Sequence, residues 1–336
     1  MSDLINREKI DVLQAKIAAA ENIVVCSHKH PDGDAVGCLL SFANFLSDKT
    51  KAKYILPNQL PDYLAWLNKS SDIIIAENDI AYAAKCIKEA DLLIAVDFND
   101  PMRLASLAES FTASEAFKIA IDHHPMGDYR YDLVFNDLDV SSASEIVYIL
   151  LSQLNHRKIN RYVAEAVYAG IVTDTGSLSY SCNNPSTYNV MAEIMKFGLD
   201  GAAIHNLLYN NFPLKRTRLL GYILDKKLVV RDDLSISYYV LTHKELEEFD
   251  YEEGMLSNVI NYALNIRGVQ MAASFVEHEE GVIRMSFRSR GDVCVNTMSS
   301  KYFNGGGHKN ASGATSMQDV DTLVNLYISV ANEYIL

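Results

Sequence analysis

The sequence predicts an α/β protein: an N-terminal domain on a parallel sheet flanked by helices, then a smaller C-terminal α/β module. Three observations carry this. Short, continuously apolar runs alternate with helical periodicity through the first half, the pattern of a parallel sheet covered on both faces. The length of 336 residues suits two domains at roughly 100–200 residues each. Beyond about residue 230 the alternation gives way to a set of strands closed by one helix.

Taken in order, residues 22–27 (NIVVCS) form the first strand and 34–47 the helix after it. Strands follow at 52–56 and 72–76, a helix at 80–89, and strands at 91–97 and 117–122. Ser142 and Glu145 stand in capping-box spacing, so a helix opens there and covers 141–155. Further helices fall at about 160–173, 186–197 and 201–210. Residues 213–231 (PLKRTRLLGYILDKKLVVR) are basic for this chain and read as a helix leading into a strand. Strands are expected at 235–241, 271–277 and 282–288, with the closing helix at 319–335. The expected domains are 1–200 and 231–336, joined by a connector at 201–230, and the basic stretch 213–231 permits hinge motion. No internal repeat or low-complexity segment interrupts this order.

The composition narrows the function classes. Apolar residues make up 49% of the chain, which excludes wholesale disorder. The formal net charge of −13 denies a long nucleic acid the positive field it needs. Cys26, Cys38, Cys86, Cys182 and Cys294 form no CxxC pair and read as reduced thiols in a cytosolic protein. The longest apolar runs, such as 92–96, are strand-length, against the roughly 20 residues of a membrane span. The start, with Ser2-Asp3, carries no charged-then-apolar leader, so a cytoplasmic location is expected.

The chemistry gathers at the strand ends, where a parallel sheet binds its ligands. Val25 is followed by Ser27-His28, Val96 by Asp97, and Ile121 by Asp122-His123-His124. After the first strand, His28-Lys29-His30-Pro31-Asp32-Gly33-Asp34 holds a proline and a glycine that tighten the loop, so His28, Asp32 and Asp34 can converge. Asp97 ends a buried strand and needs a partner, because an unpaired buried carboxylate costs several kcal/mol. Asp174 sits at a helix end between Thr173 and Thr175-Gly176. Each alone reads as a cap or a turn. Together they supply imidazole nitrogens and carboxylate oxygens suited to two divalent cations, with manganese favoured over magnesium, cobalt or zinc. Two such ions about 3.5–4 Å apart can hold a hydroxide and both transferring oxygens of a phosphoester.

These motifs resemble the DHH family of phosphoesterases. The first appears as HKHPDGDA, the second as VDFND, the third as IDHHP and the fourth as GIVTDTGSL, while FRSRGDVCVN and FNGGGHKNASG resemble the DHH-associated domain. The resemblance covers nearly the whole chain. It implies that His28, Asp32 and Asp97 hold one metal, and that Asp34, Asp97, His123 and Asp174 hold the other, with Asp97 shared. It implies catalytic-site roles for Asp97, His124 and Asp122: His124 either stands behind the metal ligands or touches the scissile phosphate, and Asp122 orients the histidines.

A second constellation lies at 281–316, where Arg284, Arg288, Arg290, Lys301 and Lys309 stand against Asp292 alone. Gly305-Gly306-Gly307 can bring backbone N–H groups close to an anion, and arginine offers phosphate a fork. The resemblance makes Arg288 and His308 substrate contacts, with Ser289, Asn310 and the three glycines beside them.

Within the family, the resemblance favours compact enzymes that trim very short RNA to mononucleotides and remove the 3′-phosphate from 3′-phosphoadenosine 5′-phosphate. Single-strand exonucleases of the family add an oligonucleotide-binding fold, and its pyrophosphatases lack the GGGH element. The membrane-bound cyclic-dinucleotide phosphodiesterases add spans and sensor domains. The expected mechanism is in-line attack by a hydroxide held between the metals. Expected partners are short RNA of about 2–5 nucleotides, mononucleotides or dinucleotides, but not long duplex, since the chain is acidic, nor a membrane, since no apolar run is span-length; a homodimer is compatible. Linear or cyclic dinucleotides are the alternative substrates. A non-catalytic nucleotide sensor would be expected to lack a metal donor, and all six positions are filled.

Overall fold

The computed structural model describes residues 6–48, 52–68, 72–252, 254–278 and 281–335. Ser2 and Asp3 lie outside the described residues. The chain divides between Asn211 and Phe212 into two compact units.

The first unit opens with helix α1 (Arg7–Ala19), then β1 (Ile23–Cys26), α2 (Gly33–Phe45), β2 (Lys53–Leu56) and β3 (Ile73–Ile75). It continues through α3 (Ile80–Lys88), β4 (Leu92–Val96), α4 (Ala108–Ala113), β5 (Phe117–Asp122) and β6 (Leu133–Asn136). Four helices follow: α5 (Ala143–Asn155), α6 (Arg161–Asp174), α7 (Pro185–Met195) and α8 (Gly201–Tyr209). The six strands pair in parallel throughout, in the order β3-β2-β1-β4-β5-β6.

Alternate strand residues enter two different cores. Val25, Ile94, Val96, Ile119 and Ile121 pack with residues of α2, α5 and α6, while Val24, Cys26, Leu93 and Ala95 pack on the other face with Ala83, Ile87 and Phe111. Both faces are therefore covered, which is why these strands read as unbroken apolar runs. The chain winds outward from β1 to β3, then returns and winds the other way from β4 to β6. The reversal falls between β1 and β4 and opens a crevice at their carboxyl ends.

Two mid-helix glycines let the helices behind this crevice touch. A β-carbon on Gly37 of α2 would lie 2.6 Å from the Ala166 carbonyl of α6. One on Gly170 of α6 would lie 2.6 Å from Cβ of Ser144 on α5 and 2.9 Å from Asp34 Oδ1. Ser142 caps α5 by accepting from Glu145 N–H, yet the Glu145 carboxylate accepts from the N–H and hydroxyl of Ser141 and from Thr187 instead of closing the box.

The second unit comprises α9 (Leu214–Tyr222), β7 (Val229–Arg231), β8 (Ile236–Leu241), α10 (His243–Glu248), α11 (Val259–Leu264), β9 (Met271–Glu277), β10 (Ile283–Ser289), α12 (Val295–Phe303), β11 (Gly306–His308), β12 (Ala311–Ser316) and α13 (Val320–Val330). Its sheet runs β11-β12-β10-β9-β8-β7, antiparallel except for β8 against β9. Phe275, Met285 and Phe287 face Met298 and Tyr327 on one side, while Tyr239, Leu241 and Val276 face Leu219 and Ile260 on the other. The glycine run, which reads as an open loop, is an edge strand here: β11 pairs with β12 across the two-residue turn Lys309-Asn310.

Candidate metal centre

The donors sit where β1, β4 and β5 end and where α2 and α6 approach them. His28 follows β1 and is buried, with Nδ1 2.9 Å from the Lys29 carbonyl and Nε2 3.3 Å from Asp97 Oδ2. Asp32 caps α2, its Oδ1 accepting from the N–H groups of Asp34 and Ala35 at 3.1 and 3.0 Å. Asp34 lies in the first turn of α2 and is held by the N-terminus of α5. Its Oδ2 accepts from Ala143 N–H at 2.6 Å and its Oδ1 from Ser144 N–H at 2.8 Å.

Asp97 follows β4 with φ of +61°, the left-handed region that aspartate tolerates better than most residues. Its Oδ1 is buried and has no hydrogen-bond partner. His123 follows β5, with Nε2 3.5 Å from Asp174 Oδ2 and 3.8 Å from both Asp34 Oδ2 and Asp97 Oδ1. Asp174 is the last residue of α6. The structure thus gathers His28, Asp32 and Asp97 into one group and Asp34, His123 and Asp174 into a second, donor atoms in each within 4.8 Å of one another. His123 places Asp97 Oδ1 beside the second group as well.

Asp122 organises the histidines. Its Oδ1 accepts from the N–H groups of His123 and His124 at 2.8 and 3.2 Å and lies 2.8 Å from His124 Nδ1. Its Oδ2 accepts from Asn99 Nδ2 at 2.6 Å. Asn99 also ties down the loop beyond, donating to the Pro125 carbonyl and accepting from Gly127 N–H. Asn136, at the end of β6, donates to the carbonyls of Asp122 and His124. Asn99, Asn136 and Arg103 escape the sequence reading. The available signal was weak: Asn99 lies two residues beyond Asp97, inside the second motif.

The electrostatics match the donor chemistry. Burial pushes the Asp97 carboxyl well above the usual carboxylate range, Asp34, Asp32 and Asp122 add to it, and Arg103 opposes. Burial likewise raises Asp34 and lowers His28 to about 4, with Arg103 contributing to the second. Asp122 is also pushed up by burial, but its hydrogen bond with His124 and the charges of both histidines hold it below the ordinary value. A neutral imidazole, crowded carboxylates and a buried orphan oxygen fit divalent cations, whose charge relieves each of these costs.

In the second unit, Arg288 on β10 and His308 on β11 both stand opposite Ala311 of β12, so their side chains leave the same face of the sheet. Gly305 and Gly307 are required by packing: β-carbons there would lie 2.8 Å from Ala314 Cβ and from Ser312 Cα respectively. Gly306 has open space around it. Ser289 and Asn310 direct their groups inward. Ser289 Oγ donates to the Val293 carbonyl at 2.6 Å, and Asn310 Nδ2 reaches Ser289 Oγ and the carbonyls of Gly291 and Val293.

Residues 22–171 match the model of the DHH family N-terminal domain, and residues 235–333 that of the DHHA1 domain. A Streptococcus mutans protein named probable bifunctional oligoribonuclease and PAP phosphatase NrnA is 30% identical over 303 residues, covering 90% of this chain and 92% of that protein. The chain belongs to the DHH phosphoesterase family. The crystal structure of an exopolyphosphatase-related protein from Bacteroides fragilis matches this DHH phosphoesterase with a TM-score of 0.91 and 33% identity, covering 98% of this chain and 96% of that one. The cyclic-di-AMP phosphodiesterase GdpP of Geobacillus thermodenitrificans is 26% identical across 92% of this chain and 46% of its own length. Among the described residues, no helix of this DHH phosphoesterase is long and apolar enough to cross a membrane.

Proposed function

We propose that the chain hydrolyses short oligoribonucleotides to mononucleotides and removes the 3′-phosphate from 3′-phosphoadenosine 5′-phosphate, with manganese as the favoured cation. The observation that carries this is the pairing of two donor groups through one buried aspartate, Asp97, whose Oδ1 lies 3.8 Å from His123 Nε2 and has no hydrogen-bond partner. The name of the S. mutans relative supports the substrate pair. The net charge of −13 supports a short substrate, since a long strand would have to lie across an acidic surface.

In this reading His28, Asp32 and Asp97 hold one cation, and Asp34, Asp97, His123 and Asp174 hold a second. Bound there, two divalent cations supply an activated water and neutralise charge on the transferring oxygens. Asp122, pinned by Asn99, holds the His124 ring by Nδ1 and gives its Nε2 to the substrate phosphate. The α5 N-terminus orients Asp34, and its N–H groups offset part of the cost of burying the carboxylate. Arg288 and His308 are the proposed phosphate contacts of the second unit, with Gly306 the glycine whose surroundings leave room for a ligand. Short RNA is a cytoplasmic substrate, and the reading places the enzyme there.

The test is product analysis on a labelled ladder of short and long RNAs with manganese supplied, with 3′-phosphoadenosine 5′-phosphate, linear di-AMP and cyclic di-AMP run alongside. Mononucleotide release that falls off with RNA length, together with dephosphorylation, is expected. Turnover confined to cyclic di-AMP would replace the reading with that of the GdpP relative, and equal turnover at all RNA lengths would overturn it.

A further inference from the structure

Arg103 lies in the turn after β4 and is half-buried beside the first donor group. Its backbone is pinned on two sides: its N–H donates to the Asp100 carbonyl at 3.0 Å and its carbonyl accepts from Lys29 N–H at 2.8 Å. Its Nη1 donates to the Asp97 carbonyl at 3.0 Å, the single hydrogen bond its guanidinium makes among the described residues. No carboxylate oxygen of those residues lies within the 4.0 Å of an ion pair with it, although His28, Asp32 and Asp97 all feel its charge.

That arrangement leaves guanidinium donors that an anion can take. A half-buried guanidinium gains by pairing, and this one is anchored to a neutral carbonyl instead. Nor does it serve a metal, because a fixed positive charge beside His28, Asp32 and Asp97 repels a cation bound there. A phosphoryl oxygen resolves both difficulties. Phosphate takes the remaining N–H donors of the fork, and the positive charge then acts together with a cation in the first group.

We infer that Arg103 is a substrate-binding catalytic residue of the first unit, donating from its guanidinium to the oxygens of the phosphoryl group under attack. The inference rests on the phosphoesterase reading and deepens it. The anchor on the Asp97 carbonyl fixes the fork to the backbone of the shared ligand, so phosphoryl group and metal donors are registered by one short segment, residues 97–103.

The experiment compares the wild-type full chain with Arg103→Gln and Arg103→Lys. Three quantities are read: the affinity of metal-free protein for manganese, the affinity of manganese-loaded protein for inorganic phosphate, and kcat and KM on a linear dinucleotide. For Arg103→Gln, phosphate affinity falls at least about tenfold and kcat/KM by about 10²–10³-fold, the loss typical of removing one oxyanion donor. Manganese affinity stays level or rises. Arg103→Lys keeps the charge without the fork and falls between. Manganese affinity lost in step with kcat/KM would make Arg103 a support for Asp97 and overturn the inference, as would unchanged phosphate affinity in both variants. A wild-type chain that binds phosphate through Arg103 but hydrolyses nothing would sink the functional reading and overturn the catalytic role, leaving Arg103 a phosphate contact only.

Discussion

Gly170→Ala and Gly221→Ala place the same methyl group on two helices and should move stability in opposite directions. At Gly221 in α9 there is nothing within 4 Å of the new β-carbon. The helix then gains alanine's better propensity, worth up to about 1 kcal/mol. At Gly170 the new carbon would lie 2.6 Å from Ser144 Cβ and 2.9 Å from Asp34 Oδ1. Rotating the serine does not relieve a clash with its own β-carbon, so α5 or α6 must shift. Overpacking of this kind costs about 1–3 kcal/mol, which outweighs the propensity gain. At about 2–4 °C per kcal/mol for a unit of this size, Gly170→Ala should lower the melting temperature of the first unit by a few degrees. The shift also moves the α5 N–H groups that hold Asp34, so manganese affinity should fall with it. The assay is thermal unfolding of metal-free protein followed by manganese titration, with Ser144→Gly added to Gly170→Ala to remove the obstructing serine side chain. Gly170→Ala melting at or above wild type, or a double variant that regains nothing, would refute the close-approach argument.

Three further outcomes follow from the same geometry. Asp97→Asn keeps a side chain that tolerates the left-handed backbone but removes the charge, so metal-dependent turnover is lost. Because the folded carboxyl of Asp97 is raised, its ionisation opposes folding only once pH exceeds the unfolded value. Metal-free Asp97→Asn should therefore melt above metal-free wild type at neutral pH, and the gap should close as pH falls toward about 4. Arg288→Ala should raise KM strongly while bound metal, measured by elemental analysis, stays constant; loss of metal would contradict its assignment to substrate. Asn310→Ala removes the donor that ties Ser289 Oγ to the 291–293 turn, so urea unfolding should show a loss of about 1–3 kcal/mol. A raised KM at unchanged stability would instead make Asn310 a direct substrate contact.

Much of the first sheet was legible because its chemistry is one-dimensional. A buried parallel strand must be apolar throughout, so β1, β4 and β5 stand out, and the polar residue that ends each run marks the sheet's carboxyl edge. Strand β6 escaped notice: Leu133 and Phe135 alternate with half-buried Val134 and Asn136 at the sheet's border, and four such residues carry little pattern. Strand β11 escaped for a different reason, since Gly306-Gly307-His308 has no strand preference of its own and is extended because β12 pairs with it. At the site, the six donors were visible as residue types at strand and helix ends. Their partners were not. Asn99 and Asn136 look like turn asparagines until Asp122 is seen beside them, and Arg103 looks like a surface cation until its guanidinium is found on the Asp97 carbonyl. Gly37 and Gly170 read as mere helix weaknesses, because the helices that press on them are distant in sequence.

The grip of α5 on Asp34 has a consequence for how the protein is made. The carboxylate and the two N–H groups that hold it are separated by 109 and 110 positions of chain. At elongation rates of about 5–20 residues per second, Asp34 is synthesised roughly five to twenty seconds before its holder. During that interval the nascent chain carries His28, Asp32 and Asp34 without Asp174, the last donor to emerge. The donors of the first group are all synthesised once Asp97 has been added, whereas the second group must wait for the end of α6. Newly made protein therefore carries every donor of the first group before it carries every donor of the second, because Asp174 is synthesised last.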